Sequence, residues 1–133
     1  MAKVLVVDDE TSIREFLEIL LTRAGHRVRL AKDAIEAIAR FAEDPADLVL
    51  TDLRLPKGSG LDVVHHVVQA NVGAQVVMMT AFATTETAVE AMKAGAYDYV
   101  IKPFKVDELN VVIERALERK RLKTERSEEH TSE

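Results

Sequence analysis

Three aspartates, a threonine and a lysine carry the chemistry this sequence can perform: Asp8 and Asp9, Asp52, Thr80 and Lys102. Each stands where a short apolar run stops. Val4 to Val7 leads into Asp8-Asp9, Leu48 to Leu50 into Thr51-Asp52, Val76 to Met79 into Thr80, and Tyr99 to Ile101 into Lys102. Fully buried parallel strands read as unbroken Val/Ile/Leu runs, and ligands of open α/β sheets gather outside the strands' carboxyl ends. The pattern therefore brings three carboxylates, a hydroxyl and an ammonium to one sheet edge.

Carboxylates gathered so closely repel one another unless a divalent cation sits among them. A few carboxylates with water completing an octahedron suit magnesium, which also takes phosphate oxygens as ligands. Taken alone, Asp8-Asp9 is better read as a favourable charge pair at the next helix's N-terminus. Asp52 at the end of the central strand adds more, because a carboxylate whose charge is screened can attack phosphorus and form an aspartyl phosphate. Lys102 then serves as a point charge on a phosphoryl oxygen and Thr80 as a hydroxyl donor to another. A snorkelling lysine or a strand-end threonine is ordinary singly; all of these in register point to a phosphoryl site.

The elements that must position them alternate strand and helix five times. Ile13, Phe16, Leu17, Leu20, Leu21 and Ala24 recur at helical spacing before Gly25, a natural C-terminal stop. Arg27 to Ala31 alternates arginine with Val28 and Leu30, the pattern of an edge strand. Asp33 and Glu36 read as a capping box opening a helix that ends before Pro45. The Leu55 to Gly60 segment is a turn-rich loop before a helix from about Leu61 to Ala70. A Thr- and Ala-rich helix from about Thr84 to Ala94 has a thin apolar face of Ala88, Val89 and Met92 and is expected to be the most loosely held. Leu109, Val112, Ile113 and Ala116 mark the last helix. Five βα units predict an α/β fold, a five-stranded parallel sheet with helices on both faces.

At 133 residues and 47% hydrophobic content, the chain fits one compact domain. Residues 1–120 are expected to form it and 121–133 a charged tail, helical for a turn or two and then disordered. The absence of cysteine agrees with a reducing compartment. There is no signal-like or membrane-spanning run, so a cytoplasmic protein is expected. A formal net charge of -5 argues against direct nucleic-acid binding by these residues. The tail also spells something specific. One frame of the common sequencing-adapter string AGATCGGAAGAGCACACGTCTGAA translates to Arg126-Ser127-Glu128-Glu129-His130-Thr131-Ser132-Glu133 in order. Native sequence is accordingly expected to stop at about Glu125, with any output domains missing from this chain.

The segments Val-Val-Asp8-Asp9-Glu, Thr-Asp52-Leu-Arg-Leu-Pro56, Met-Thr80-Ala81 and Asp-Tyr99-Val-Ile-Lys102-Pro103-Phe104 resemble the receiver domain of bacterial two-component response regulators. The match runs from residue 3 to about 117 and includes every phosphorylation-site position. The resemblance implies a flavodoxin-like doubly wound fold, and Asp52 as acceptor of phosphate from a cognate histidine kinase. It implies magnesium held by Asp8, Asp9, Asp52 and the Arg54 backbone carbonyl, and a cis Lys102-Pro103 bond. Thr80 and Tyr99 would be the switching pair, Thr80 moving toward the phosphate and Tyr99 turning inward, with Ala81 leaving room beside it. Arg54 and Phe82, each two residues past a site residue, would flank the phosphoryl group. The stretch from Met78 to Tyr99 is further similar to receivers of enhancer-binding transcription activators, which continue into an AAA+ ATPase and a DNA-binding domain. A homodimer through the Thr84 to Ala94 helix, the last strand and the last helix is a further expectation. A stand-alone phosphorelay receiver without DNA-binding output is the alternative within the family.

Two rival functions are less well served. A metal-dependent phosphohydrolase with an Asp nucleophile typically has a second acid two residues on, where this chain has Arg54. A nucleotide or flavin module would want a glycine-rich cradle after the first strand, where Asp-Asp-Glu-Thr-Ser stands instead. The receiver reading predicts no turnover enzyme, only self-catalysed phosphoryl transfer and slow loss. His65 and His66 are adjacent on a helix, about 100° apart, and suit a solvated face better than a shared metal. Met78-Met79 reads as core strand.

Overall fold

The structure is a computed structural model that describes residues 2–81 and 84–131, with side chains described through residue 122. The chain runs β1 (Lys3–Val7), α1 (Thr11–Arg23), β2 (Arg27–Ala31), α2 (Ala34–Glu43) and β3 (Leu48–Asp52). It continues with α3 (Gly60–Ala70), β4 (Gln75–Thr80), α4 (Thr85–Ala94), β5 (Asp98–Ile101) and α5 (Val106–Thr131). All strand pairs are parallel and the order is β2-β1-β3-β4-β5, the doubly wound sheet the sequence predicts.

Two apolar clusters sandwich this sheet because alternate strand residues point to opposite faces. Leu5, Val7, Val49, Val76 and Met78 pack with Phe41 of α2, with Val63, Val64 and Val67 of α3, and with Ala91 of α4. On the opposite face Val4, Val6, Leu48, Leu50, Val77 and Met79 meet Leu17 and Leu21 of α1, and Leu109, Ile113 and Ala116 of α5. Every residue of β3 and β4 is buried, which is why both strands read as unbroken apolar runs. Met78 and Met79 are core, one on each face. His66 lies edge-on to Phe41 with ring centroids 5.9 Å apart and is half-buried, so only His65 stands on the solvated face that the sequence suggests for both.

Several local expectations are corrected. The Asp33 side chain caps α2 by accepting from Glu36 N–H, but the Glu36 carboxylate accepts from Lys32 N–H, one residue before the cap, so the box is offset. Val89 and Met92 of α4 are exposed, and the face toward the core is Ala91 with Ala88 half-buried. Small residues face inward there because the helix lies close to its neighbours: a Cβ on Gly95, just past its end, would press on Val68 of α3 at 2.7 Å. β5 spans Asp98–Ile101, beginning one residue before the apolar run that marks it in the sequence. The tail differs most. α5 continues to Thr131, through most of the stretch expected to be disordered. Glu, Lys and Arg are strong helix formers, and the Arg121–Glu118 pair at 2.7 Å adds i,i+3 support.

Among the described residues no helix is long and apolar enough to cross a membrane.

Candidate functional site

Register alone assembles the site. Val7 pairs with Thr51, so Asp8 and Asp52 fall abreast, and Asp52 pairs with Met79, which puts Thr80 one step beyond it. Thr80 pairs with Ile101, and Lys102 N–H donates to the Thr80 carbonyl at 2.8 Å. The sheet's order reverses between β1 and β3, where doubly wound folds form their crevice.

Asp8, Asp9 and Asp52 each offer a carboxylate oxygen, and these atoms lie within 4.8 Å of one another. Asp8 is 0% exposed and Asp52 8% exposed, so neither charge is left to bulk water, while Asp9 opens to solvent. The Lys102 ammonium bridges the two buried acids, with Nζ 2.6 Å from Asp8 Oδ2 and 2.9 Å from Asp52 Oδ2. β5 lies two strands from β3, roughly 10 Å, so only a long side chain spans the gap. Burial pulls the Lys102 pKa down, but the hydrogen bonds and negative charge of Asp8 and Asp52 outweigh it and hold the ammonium above the ordinary lysine value. The other oxygens are also engaged: Asp8 Oδ1 accepts from Glu10 N–H at 2.9 Å and Asp52 Oδ1 from Arg54 N–H at 3.3 Å.

A compact, all-oxygen set of three carboxylates fits a hard cation such as magnesium. The Lys102-Pro103 bond that follows the lysine is cis.

Thr80 is buried at the end of β4, and Ala81 is exposed beside it. Thr80 shares a narrow void beneath α4 with Met78, Thr87, Ala88, Ala91 and Tyr99, too tight to admit a water molecule. Tyr99 is half-buried, packed against the α2/α3/α4 cluster. Arg54 is exposed. Phe82 lies outside the described residues. The structure thus brings Asp8, Asp9, Asp52 and Lys102 into one cluster, with Thr80 and Tyr99 joined through the void beside it.

Comparison with known proteins agrees with this geometry. A family model described as the response regulator receiver domain matches residues 4–114. The chain belongs to the response regulator receiver family. This receiver is 44% identical over 127 residues to the response regulator protein PilR of Pseudomonas aeruginosa, covering 96% of this chain and 28% of that protein. It is 40% identical over 119 residues to the transcriptional regulatory protein ZraR of Klebsiella oxytoca, covering 90% and 27%. The crystal structure of a receiver domain protein from Clostridium thermocellum superposes with a TM-score of 0.85 at 34% identity, covering 92% of this chain and 98% of that one. The receiver spans little more than a quarter of the length of the curated relatives it matches. It is a receiver module related to those of transcriptional regulatory proteins.

Three supporting residues of the receiver site carry no signal in their types or spacing. Thr51 is fully buried and donates its hydroxyl to the Asp52 carbonyl at 3.0 Å. Gly60 N–H donates to the Leu53 carbonyl at 2.8 Å, bringing the start of α3 against the same strand end. Arg14 of α1 donates to the Asp8 backbone carbonyl at 2.6 Å. Each acts through backbone geometry, which residue type alone does not announce.

Proposed function

We propose that this receiver takes a phosphoryl group onto Asp52 from the phosphohistidine of a cognate histidine kinase and, by switching conformation, controls an output, most plainly transcription. The observation that carries the reading is the Lys102 ammonium shared between buried Asp8 and Asp52 at the sheet's carboxyl edge. An Asp52 carboxylate oxygen forms the new O–P bond as the P–N bond breaks, and the departing imidazole keeps the electron pair and takes up a proton. Magnesium, which receiver domains generally use, would be held by Asp8, Asp9, Asp52 and the Arg54 backbone carbonyl, and would supply charge neutralisation at the phosphoryl oxygens. Lys102 stays within reach of the new charge, because its ammonium already bonds the Asp52 carboxylate that would carry it. The added group carries about -1.5 to -2 charges, enough to draw the Thr80 hydroxyl toward it.

Thr80 and Tyr99 line the same void, so displacement of one changes the room available to the other. α4 covers that void with alanines, and its first turn is held by the Thr84–Thr87 capping box, an arrangement suited to a two-state element. The exposed Val89, Met92, Ile101, Val106 and Val111 on α4, β5 and α5 support a homodimer through those elements. Arg54 and Phe82, each two residues past a site residue in the sequence, would limit access of hydrolytic water and give a slowly lost adduct. A cytoplasmic location and a tail beyond residue 120 outside the globular domain belong to the same reading.

Incubation with acetyl phosphate and magnesium, followed by intact-mass measurement, tests it. One phosphoryl adduct in the wild type and none in Asp52→Asn is the expected result. Sustained release of phosphate without any adduct favours the phosphohydrolase instead, and an adduct persisting in Asp52→Asn removes the nucleophile assignment.

A further inference from the structure

The junction between β1 and α1 carries the two acids that open the site, yet α1 begins without a side-chain cap. Its N-cap residue is Glu10, in extended conformation, and the Glu10 side chain makes no capping hydrogen bond. Two other restraints shape the turn. Glu10 N–H donates to Asp8 Oδ1 at 2.9 Å, and the Arg14 guanidinium reaches back from α1 to the Asp8 carbonyl at 2.6 Å, with a second bond to Thr11 Oγ1 at 3.2 Å.

These restraints differ in kind. The first uses a carboxylate oxygen of Asp8, the group that a cation would engage. The second uses the backbone carbonyl, so it survives whatever the carboxylate does. Asp8 N–H is fixed separately, donating to the Ala31 carbonyl of β2 at 3.1 Å. With its N–H held by β2 and its C=O held by Arg14, the Asp8 peptide is pinned on both sides. Asp9, the next residue, is exposed and follows directly from that pinned carbonyl.

We infer that Arg14 is a positioning residue for the divalent-cation site: by gripping the Asp8 carbonyl it holds the Asp8-Asp9 backbone where both carboxylates face Asp52. The inference rests on the magnesium reading above. It predicts an effect opposite in sign to simple electrostatics. A nearby guanidinium repels a cation, so charge alone would make a neutral substitute bind magnesium more tightly, whereas loss of the grip makes it bind more weakly.

Isothermal titration of magnesium into wild type, Arg14→Gln and Arg14→Lys distinguishes the two, with melting temperatures in EDTA as the control for general loosening. Arg14→Gln should weaken magnesium binding about tenfold, the scale seen when a partner that orients a ligand is lost. Arg14→Lys, which keeps one donor and the charge, should recover part of that loss, and both variants should melt within a few degrees of wild type. Unchanged or tighter binding by Arg14→Gln overturns the inference. So does a loss accompanied by a large drop in melting temperature, or one that lysine leaves unrelieved. An absence of magnesium binding by the wild type, with Asp9→Asn making no difference, would instead overturn the magnesium reading and the inference with it.

Discussion

Gly60 sits directly against the backbone of Asp52: a Cβ added there would run into the Asp52 carbonyl oxygen, with Leu53 Cα and Met78 Sδ each 3.0 Å away. The first residue of α3 thus presses on the strand end that carries the candidate nucleophile, and two of the obstacles are backbone atoms that cannot rotate aside. Gly60→Ala should therefore cost about 1–3 kcal/mol, the range for overpacking, and slow phosphorylation by displacing Asp52. Chemical denaturation paired with the acetyl phosphate assay checks both. Wild-type stability would show that the strand end yields freely.

The Lys102 ammonium bonds the carboxylates of both Asp8 and Asp52. Lys102→Met should destabilise the magnesium-free protein by up to about 3 kcal/mol, since removing one partner leaves buried charge uncompensated. Magnesium should then restore part of the loss and bind more tightly than to wild type, having no ammonium to displace. Thermal melts with and without magnesium read this directly. The pH dependence follows from the raised pKa: the ammonium's contribution is complete below the unfolded lysine value and disappears only as pH rises through the still higher folded value. Stability between pH 7 and 9 should not fall on its account.

His26 gives a dependence on the acid side. Burial first, and the positive amino terminus second, lower its pKa, and its Nδ1 accepts from Ala2 N–H at 3.3 Å, where β1 enters the sheet. A depressed folded pKa means the unfolded chain binds the proton better. The stabilisation is therefore present above about 6.5, the unfolded histidine value, and is lost as pH falls through the lower folded value. The fall in melting temperature between pH 7.5 and 5.5 should be smaller in His26→Asn than in wild type. Identical slopes would exclude His26 as a source.

Phe82 stands two residues past Thr80 in the sequence and is proposed to shield the phosphoryl group. Phe82→Ala should shorten the adduct's lifetime, measured as decay of the phosphorylated mass after acetyl phosphate is removed. Unchanged decay would remove Phe82 from the mechanism.

The last eight residues, 126–133, are expected to be dispensable for phosphoryl acceptance, whether or not they are native. A chain ending at Glu125 should match the full chain in phosphorylation rate and melting temperature. Sequencing the source gene through the Glu125 codon tests the adapter reading, which an intact natural frame encoding these eight residues would refute.

What the sequence revealed, and what it hid, divides along physical lines. β3 and β4 were legible because burial on both faces demands apolar residues at every position, so Asp52 and Thr80 stand out against their surroundings. Edge placement of β2 was legible from its alternating arginines. The contact face of α4 was not, because hydrophobicity points to Val89 and Met92 while close approach to α3 selects alanine. Length of α5 was missed because charge suggests disorder and helix propensity suggests the reverse. Arg14 and Thr51 act on backbone carbonyls, and no residue type predicts which carbonyl a donor will find.

The strand order also sets a timetable for synthesis. β1, β2 and β3 are the first three strands in the chain and form one contiguous half of the sheet, and β4 and β5 then add on the β3 side in the order they are made. Asp8, Asp9 and Asp52 are therefore all available to meet before Lys102 leaves the ribosome. Until the last strand docks, a nascent chain would hold the acidic cluster without the ammonium that later offsets part of its charge. A chain cut short before β5 inherits that repulsion permanently, so the half-finished sheet should resist closing at this edge and be an early target for proteolysis.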